Sequence, residues 1–227
     1  MFTSTLRPSV NKLRVPLAAA LAITIAMFHL CSAATEKLYL VPTPQEIRQA
    51  NIGLPKIVSG QPDLLEDATV VTKLEKKLAW SSQTSSARLL IPVSVRYRGT
   101  TNSYCRLATA SKGVKDIVLV KLPTQVNFDD CNEVSDLRYM EINGDGILDL
   151  VEGILVKSNV SSSQIVTTLV YLSTPTAESG YCYSDAASRQ LAPADLKSEE
   201  NIRKALEIAK SRLGVTVFDC APLDTAN

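Results

Sequence analysis

Residues Glu141-Ile142-Asn143-Gly144-Asp145-Gly146-Ile147-Leu148-Asp149-Leu150-Val151-Glu152, continued by Gly153-Ile154-Leu155-Val156-Lys157, decide how this 227-residue chain is read. Oxygen-bearing side chains stand at alternate positions across a glycine-marked turn, and an apolar run follows. The run from Ile147 to Lys157 is β-branched, alternating and interrupted by Gly153, which is the pattern of a strand rather than a helix. The expectation is a strand-loop-strand unit, with Leu137 to Ile142 entering and Leu148 to Lys157 leaving. Calcium takes roughly six to eight oxygens in a flexible shell, which a tight loop of this spacing is able to wrap. Glu141, Asn143 and Asp145 at the first, third and fifth positions offer side-chain oxygens, Ile147 offers its carbonyl, and Asp149 stands ninth. Gly146 supplies the sharp turn. The same Asn-Gly and Asp-Gly pairs also form hairpin turns without any ion.

At these residues the chain resembles two kinds of calcium loop. One is the EF-hand with its dockerin relatives, whose pattern ends in an acid at the twelfth position, here Glu152. The other is the integrin-α-like FG-GAP or VCBS loop, which looks like D-x-N-G-D-G-x-x-D-L-V and closes its ligand set at the ninth position, here Asp149. An EF-hand requires a helix leaving the loop, so the strand-like flank favours the FG-GAP form and leaves Glu152 a bystander. The resemblance implies a calcium ion held by Glu141, Asn143, Asp145, Ile147 and Asp149. It spans about a dozen residues and carries no fold with it. Two departures stand out. Glu141 replaces the usual Asp, so a longer side chain must fold back to reach an ion. Only one copy is clear: Gly113-Val114-Lys115-Asp116-Ile117-Val118 echoes Gly146 to Val151, but Ala108, Ala110 and Lys112 occupy the ligand positions, which argues against a propeller.

Outward from the loop, short β-branched and aromatic stretches separated by turn residues read as strands at Leu89 to Tyr97, Tyr104 to Thr109, Asp116 to Leu122, Ile165 to Leu172 and Tyr181 to Tyr183. Pro92 marks an edge or a bulge in the first of them. Before them, Lys37 to Val41 reads as a short strand, and Thr43-Pro44-Gln45-Glu46 has the form of a capping box that opens a short helix stopping near Asn51 to Gly53. Asp63-Leu64-Leu65-Glu66 opens a second helix, with Leu64, Ala68, Val71, Leu74 and Leu78 at helical spacing and Trp80 closing its stripe. A polar loop follows near residues 81–88. At the far end, Glu199 and Glu200, the stripe Ile202, Ala205, Leu206, Ala209 and Leu213, the basic Lys210 and Arg212, and Gly214 define a helix from both its ends. Strands segregated from helices give the α+β class: an antiparallel sheet flanked by helices, carrying a strand-loop-strand calcium-type loop.

The N-terminus reads as a targeting segment. Arg7, Lys12 and Arg14 precede the uncharged run Val15 to Leu30, and Cys31-Ser32-Ala33-Ala34 offers small residues for cleavage. This uncharged run of sixteen residues falls short of the roughly 20 that a spanning helix needs. The expected organisation is a cleaved signal peptide over 1–33 and a single α+β domain over 34–227, secreted or periplasmic, with no membrane attachment after cleavage. An anchored periplasmic component would follow only if the run were retained. Cleavage removes three basic residues and the chain's single histidine, His29, leaving 21 Lys and Arg against 23 Asp and Glu. Without an imidazole, Ser-His-Asp, Cys-His and His-ligated metal chemistry all drop out. A balance of about −2 without a basic patch argues against nucleic acid. Cleavage leaves Cys105, Cys131, Cys182 and Cys220, which in an exported chain read as two disulfides with three possible connectivities. Local loop closure favours Cys105–Cys131 with Cys182–Cys220.

Other chemical candidates are weaker. Ser111 with Lys112 and the pair Asp129-Asp130 read as turn residues, since no strand-turn-helix elbow surrounds them. Tyr181 and Tyr183 flank Cys182, as packing against a bridge or as a recognition surface. Asn159-Val160-Ser161 fits a glycosylation acceptor. The functional expectation is an exported, disulfide-bridged binding or structural module stabilised by calcium, non-catalytic, with a protein or glycan partner. The alternative is a small secreted hydrolase that uses carboxylates on a polysaccharide.

Overall fold

The computed structural model describes residues 41–59, 69–70, 78–82, 86–96, 103–123, 131–157 and 164–223. These lie in one compact unit, Leu38–Asn227. The targeting segment, the expected strand at Lys37 to Val41 except for Val41 itself, Asp129-Asp130 and Asn159 to Ser161 lie outside them.

Helix α1 runs over Pro44–Ser59. Its start is the expected capping box: Thr43 Oγ1 accepts the Glu46 N–H, and Glu46 Oε2 accepts the Thr43 N–H at 2.8 Å. Its end is not where the sequence puts it, because the helix continues through Gly53 and Pro55. Gly53 here is a contact residue and not a terminator: a Cβ on it would fall 2.5 Å from Ile117 Cδ1. The flanking Ala50 and Leu54 are buried on the same sheet, and that burial outweighs the helix-breaking tendency of glycine. The second expected helix is corrected at the positions described. Thr69–Val70 is strand β1 and Ala79–Trp80 is strand β2, each pairing with strand β3 (Leu89–Arg96). Pairing to a long neighbour overrides the local 3.6-residue spacing there. At the described ends of the polar loop Ser81 and Arg88 exchange two hydrogen bonds, Ser81 N–H to Arg88 O at 2.8 Å and Arg88 N–H to Ser81 Oγ at 2.9 Å.

β3, β4 (Ser103–Ser111) and β5 (Lys115–Leu119) complete one antiparallel sheet with β1 and β2, both of which pair along the same side of β3. Pro92 falls in the stretch of that side between them, where its missing N–H interrupts no described pairing. The second sheet is an antiparallel meander of β6 (Cys131–Met140), β7 (Asp149–Lys157), β8 (Gln164–Ser173) and β9 (Tyr181–Tyr183). The chain is thus α+β with two antiparallel sheets, where the sequence suggested one. β6 starts at Cys131, six residues before the expected Leu137, and register shifts occur at Cys131/Glu133 and Val134/Asp136. Bulges break the period of two, so the alternation became legible only after them.

Three apolar clusters arrange these elements in layers. Ala50 and Leu54 of α1 pack on Leu89, Ile91, Val93 and Ile117, the outer face of the first sheet. The inner faces meet through Leu90, Cys105 and Leu107 on one side and Leu150, Ile154, Leu169 and Tyr171 on the other. Val151, Val170 and Leu172 on the outer face of the second sheet receive Ile202, Leu206 and Ala209 of α3 (Glu199–Leu213), together with Phe218. The short helix α2 (Asp185–Ser188) follows β9 directly. α3 matches its sequence signals, with Ser198 Oγ accepting the Asn201 N–H at 3.1 Å and Gly214 closing the helix at φ 69°. Gly153 in β7 serves close approach, since a Cβ there would sit 2.8 Å from Leu196 Cδ1. Cys105 bonds Cys131 across the two sheets, and Cys182 of β9 bonds Cys220 in the C-terminal segment, each pair with Cα atoms 5.6 Å apart. No helix among the described residues is long and apolar enough to cross a membrane.

Candidate metal centre

The connection from β6 to β7 is residues 141–148, a strand-loop-strand unit. Gly144 and Gly146 take φ of 83° and 76°, values a side chain resists, and the carboxylate between them turns back on the loop. Asp145 Oδ1 accepts the Ile147 N–H at 2.9 Å, an Asx-type turn, and Oδ2 accepts the Ser173 hydroxyl at the end of β8. Asp149 opens β7 and is fully buried. Its Oδ2 accepts the Ile142 N–H and its Oδ1 the Ser173 N–H, both at 2.7 Å, so one carboxylate stitches the loop to the neighbouring strand.

Asn143 is turned away from this group. Its side-chain amide donates to Phe218 O at 3.1 Å and accepts the Phe218 N–H at 3.0 Å, a two-bond clasp on the C-terminal segment. The Lys210 ammonium of α3 donates to the Ile142 carbonyl at 2.7 Å and to Glu207 at 3.2 Å. Leu148 ties the loop to the first sheet, its N–H donating to Ser81 O at 3.1 Å and its carbonyl accepting the Tyr181 hydroxyl. Glu141 is half-buried, and its Oε1 has no hydrogen-bond partner among the described residues.

Burial pushes the Asp149 carboxyl up from 3.8 to about 7. The two backbone N–H donors, Ser173 before Ile142, lower it, and the negative charges of Asp145 and Glu141 raise it further. Of the five expected ligands, Asp145 and Glu141 are brought within electrostatic reach of Asp149, Ile147 is held by the Asx turn, and Asn143 is engaged elsewhere. Among the described residues, no group of three or more His, Cys, Asp or Glu side chains is gathered at a spacing that holds a metal ion. Sequence reasoning missed Ser173, Phe218 and Lys210. Lys210 carried a signal only as a basic residue in the last turn of a helix, and Ser173 and Phe218 carried none.

The remaining candidates fall into place as scaffold. Ser111 Oγ donates to Lys115 O at 2.8 Å and closes the turn from β4 to β5. Tyr181 and Tyr183 belong to the core between the sheets and are only 2% and 4% exposed, so they pack inward and present little surface for recognition. Beside them opens a groove of about 350 Å³ between the edges of β5 and β9, lined among others by Leu119, Lys121, Glu178, Tyr183, Cys182 and Cys220. Among the described residues Glu178 is the one carboxylate in that lining, whereas glycoside hydrolysis uses a facing pair. The chain matches no protein-family model, no curated protein and no solved structure.

Proposed function

We propose that this chain works outside the cytoplasm, in the periplasm or as a secreted protein, as a disulfide-bridged binding or structural module that performs no catalysis and engages a protein or glycan partner. The observation that carries the reading is the use to which its polar chemistry is put. Asp145, Asp149 and Asn143 all hold one segment of the chain to another, and Cys105, Cys131, Cys182 and Cys220 form two bridges. The leader-like N-terminus and the pairing of Cys105, Cys131, Cys182 and Cys220 support export.

The loop takes a calcium ion in this proposal, and the residues fit the ion in part. Two carboxylates, Asp145 and Glu141, repel the buried Asp149, and Glu141 Oε1 has no hydrogen-bond partner among the described residues. Glu141, Asp145 and Asp149, with the Ile147 carbonyl, would hold the ion, and Asn143 is left out because Phe218 occupies it. Bound there, calcium supplies charge neutralisation to a loop that is already folded. The test is a melting curve of the full chain in millimolar calcium against the same buffer with chelator. At ten times the dissociation constant a ligand adds about 1.4 kcal/mol, a rise of a few degrees for a domain of this size. An unchanged midpoint would remove calcium and leave the loop as a hydrogen-bonded turn.

A further inference from the structure

We propose that the Cys182–Cys220 bridge is a thiol-exchange site, attacked at Cys220, and that opening it releases the C-terminal segment from the edge of the second sheet. The two bridges of the molecule are placed very differently. Cys105 and Cys131 are both 0% exposed and lie in the core between the sheets, where no thiolate reaches them without separating those sheets. Cys220 is exposed, Cys182 is half-buried, and both lie on the wall of the 350 Å³ groove. Exchange requires direct approach of a thiolate to one sulfur, so access selects both the bridge and the atom attacked.

The reagent class is a dithiol reductant. Its thiolate attacks Cys220 Sγ, the bond between the cysteines breaks, and the Cys182 sulfur leaves as a thiolate that takes up a proton. The second thiol of the reductant then attacks its own mixed disulfide, freeing the Cys220 thiol and leaving the reductant as a cyclic disulfide. Two electrons pass from the dithiol to the cystine.

What the bridge restrains is visible on either side of Cys220. Ala221 N–H donates to the Tyr183 carbonyl on the outer edge of β9 at 2.7 Å, Ser184 Oγ donates to Asp219 O at 2.8 Å, and Asn143 holds Phe218. A single hydrogen bond contributes little net, so without the covalent link these contacts open locally far more often. The neighbouring edge position stays closed whatever the tail does, because Ser179 Oγ both donates to Tyr181 O at 2.7 Å and accepts the Tyr181 N–H at 3.3 Å. Release therefore uncovers one edge carbonyl, that of Tyr183, and takes away the wall of the groove that Cys220, Ala221 and Leu223 form.

The test uses the oxidised full chain in native buffer. Dithiothreitol is added at low concentration, samples are quenched with N-ethylmaleimide over time, and peptide mass mapping reads each cysteine separately. Cys182 and Cys220 should be alkylated at least about tenfold faster than Cys105 and Cys131, as expected for exposed against buried bridges. With glutathione in place of dithiothreitol, the adduct should form on Cys220. Loss of both bridges together, or an adduct on Cys182, would overturn the assignment of the site. Limited proteolysis of the Cys182→Ser/Cys220→Ser double variant tests the release. Cleavage within residues 214–223 should increase several-fold at an unchanged circular dichroism spectrum, and an unchanged rate of cleavage would show that the bridge does not restrain the tail.

Discussion

The two faces of the second sheet are held by different chemistry. Its inner face meets the first sheet mainly through aliphatic and aromatic residues buried almost completely, with the Cys105–Cys131 bridge and the buried Glu152 among them. Its outer face carries α3 and the C-terminal segment, where an apolar patch is supplemented by discrete polar stitches: Asn143 to Phe218, Lys210 to Ile142, Ser184 to Asp219, and a bridge open to solvent. Apolar burial is proportional to area and has no preferred partner, whereas each stitch depends on one atom pair. The inner face should therefore fail as a unit, and the outer face stitch by stitch.

The largest effect is expected inside. Ile154→Ala removes a side chain that is 0% exposed between the sheets and should cost about 2–5 kcal/mol, read as a lowered urea midpoint at constant slope. A smaller loss would mean that the two sheets are able to close over the cavity, and the contrast between the faces would weaken. Next comes Gly153→Ala on the outer face, where the added methyl meets the 3-10 turn Asp195–Lys197 through Leu196 and must displace it. Overpacking of this kind costs about 1–3 kcal/mol and should also loosen α3, which hydrogen exchange along residues 199–213 would detect.

Much of this arrangement was legible in the sequence, and the misses have definite causes. α3 carried its acidic first turn, its basic last turn and Gly214 in the sequence, and most of the strands from Leu89 onward were legible as β-branched and aromatic runs, although bulges hid the start of β6. Two antiparallel sheets still look like one to local reasoning, because nothing in the alternation of β5 and β6 records that they do not pair. Gly53 was misread as a stop because its reason for being glycine is the Ile117 side chain, more than sixty residues away. The loop was legible as a turn rich in oxygen ligands, but the clasp of Asn143 on Phe218 joins residues 75 apart and has no local signature. A loop pattern gives the donors. It does not tell which donors the fold has already engaged.

Asp149 sharpens the comparison, because it is an ionisable stitch buried as deeply as the inner core. Replacing it with Ala leaves the Ile142 and Ser173 N–H groups without their acceptor and, with water entering the space, should cost about 1–3 kcal/mol. Its titration gives a finer reading. The unfolded chain releases this proton near 3.8 and the folded chain near 7, so between those values the folded state binds more protons than the unfolded state. Stability from this group is therefore greatest below the unfolded value and falls as pH rises through the window toward 7. The melting midpoint should be a few degrees higher at pH 5 than at pH 7, and Asp149→Asn should abolish that difference. If the wild-type slope has the opposite sign, the carboxylate is ionised in the fold and its two N–H donors outweigh its burial.

The smallest expected effect tests a single stitch. Asn143→Ala removes both bonds to Phe218 but leaves Lys210 on the Ile142 carbonyl and the bridge at Cys220 in place. Because Phe218 is itself buried against the sheet, its backbone groups lose a partner that water replaces poorly, and the loss should be about 1 kcal/mol. Combining Asn143→Ala with Cys182→Ser/Cys220→Ser distinguishes the two kinds of face directly. If the tail is held by independent stitches, the proteolysis rates of the variants multiply, as expected for sites that do not share a contact. If the outer face is as cooperative as the inner one, either change alone frees the tail, the second adds nothing, and the contrast between the two faces of the sheet disappears.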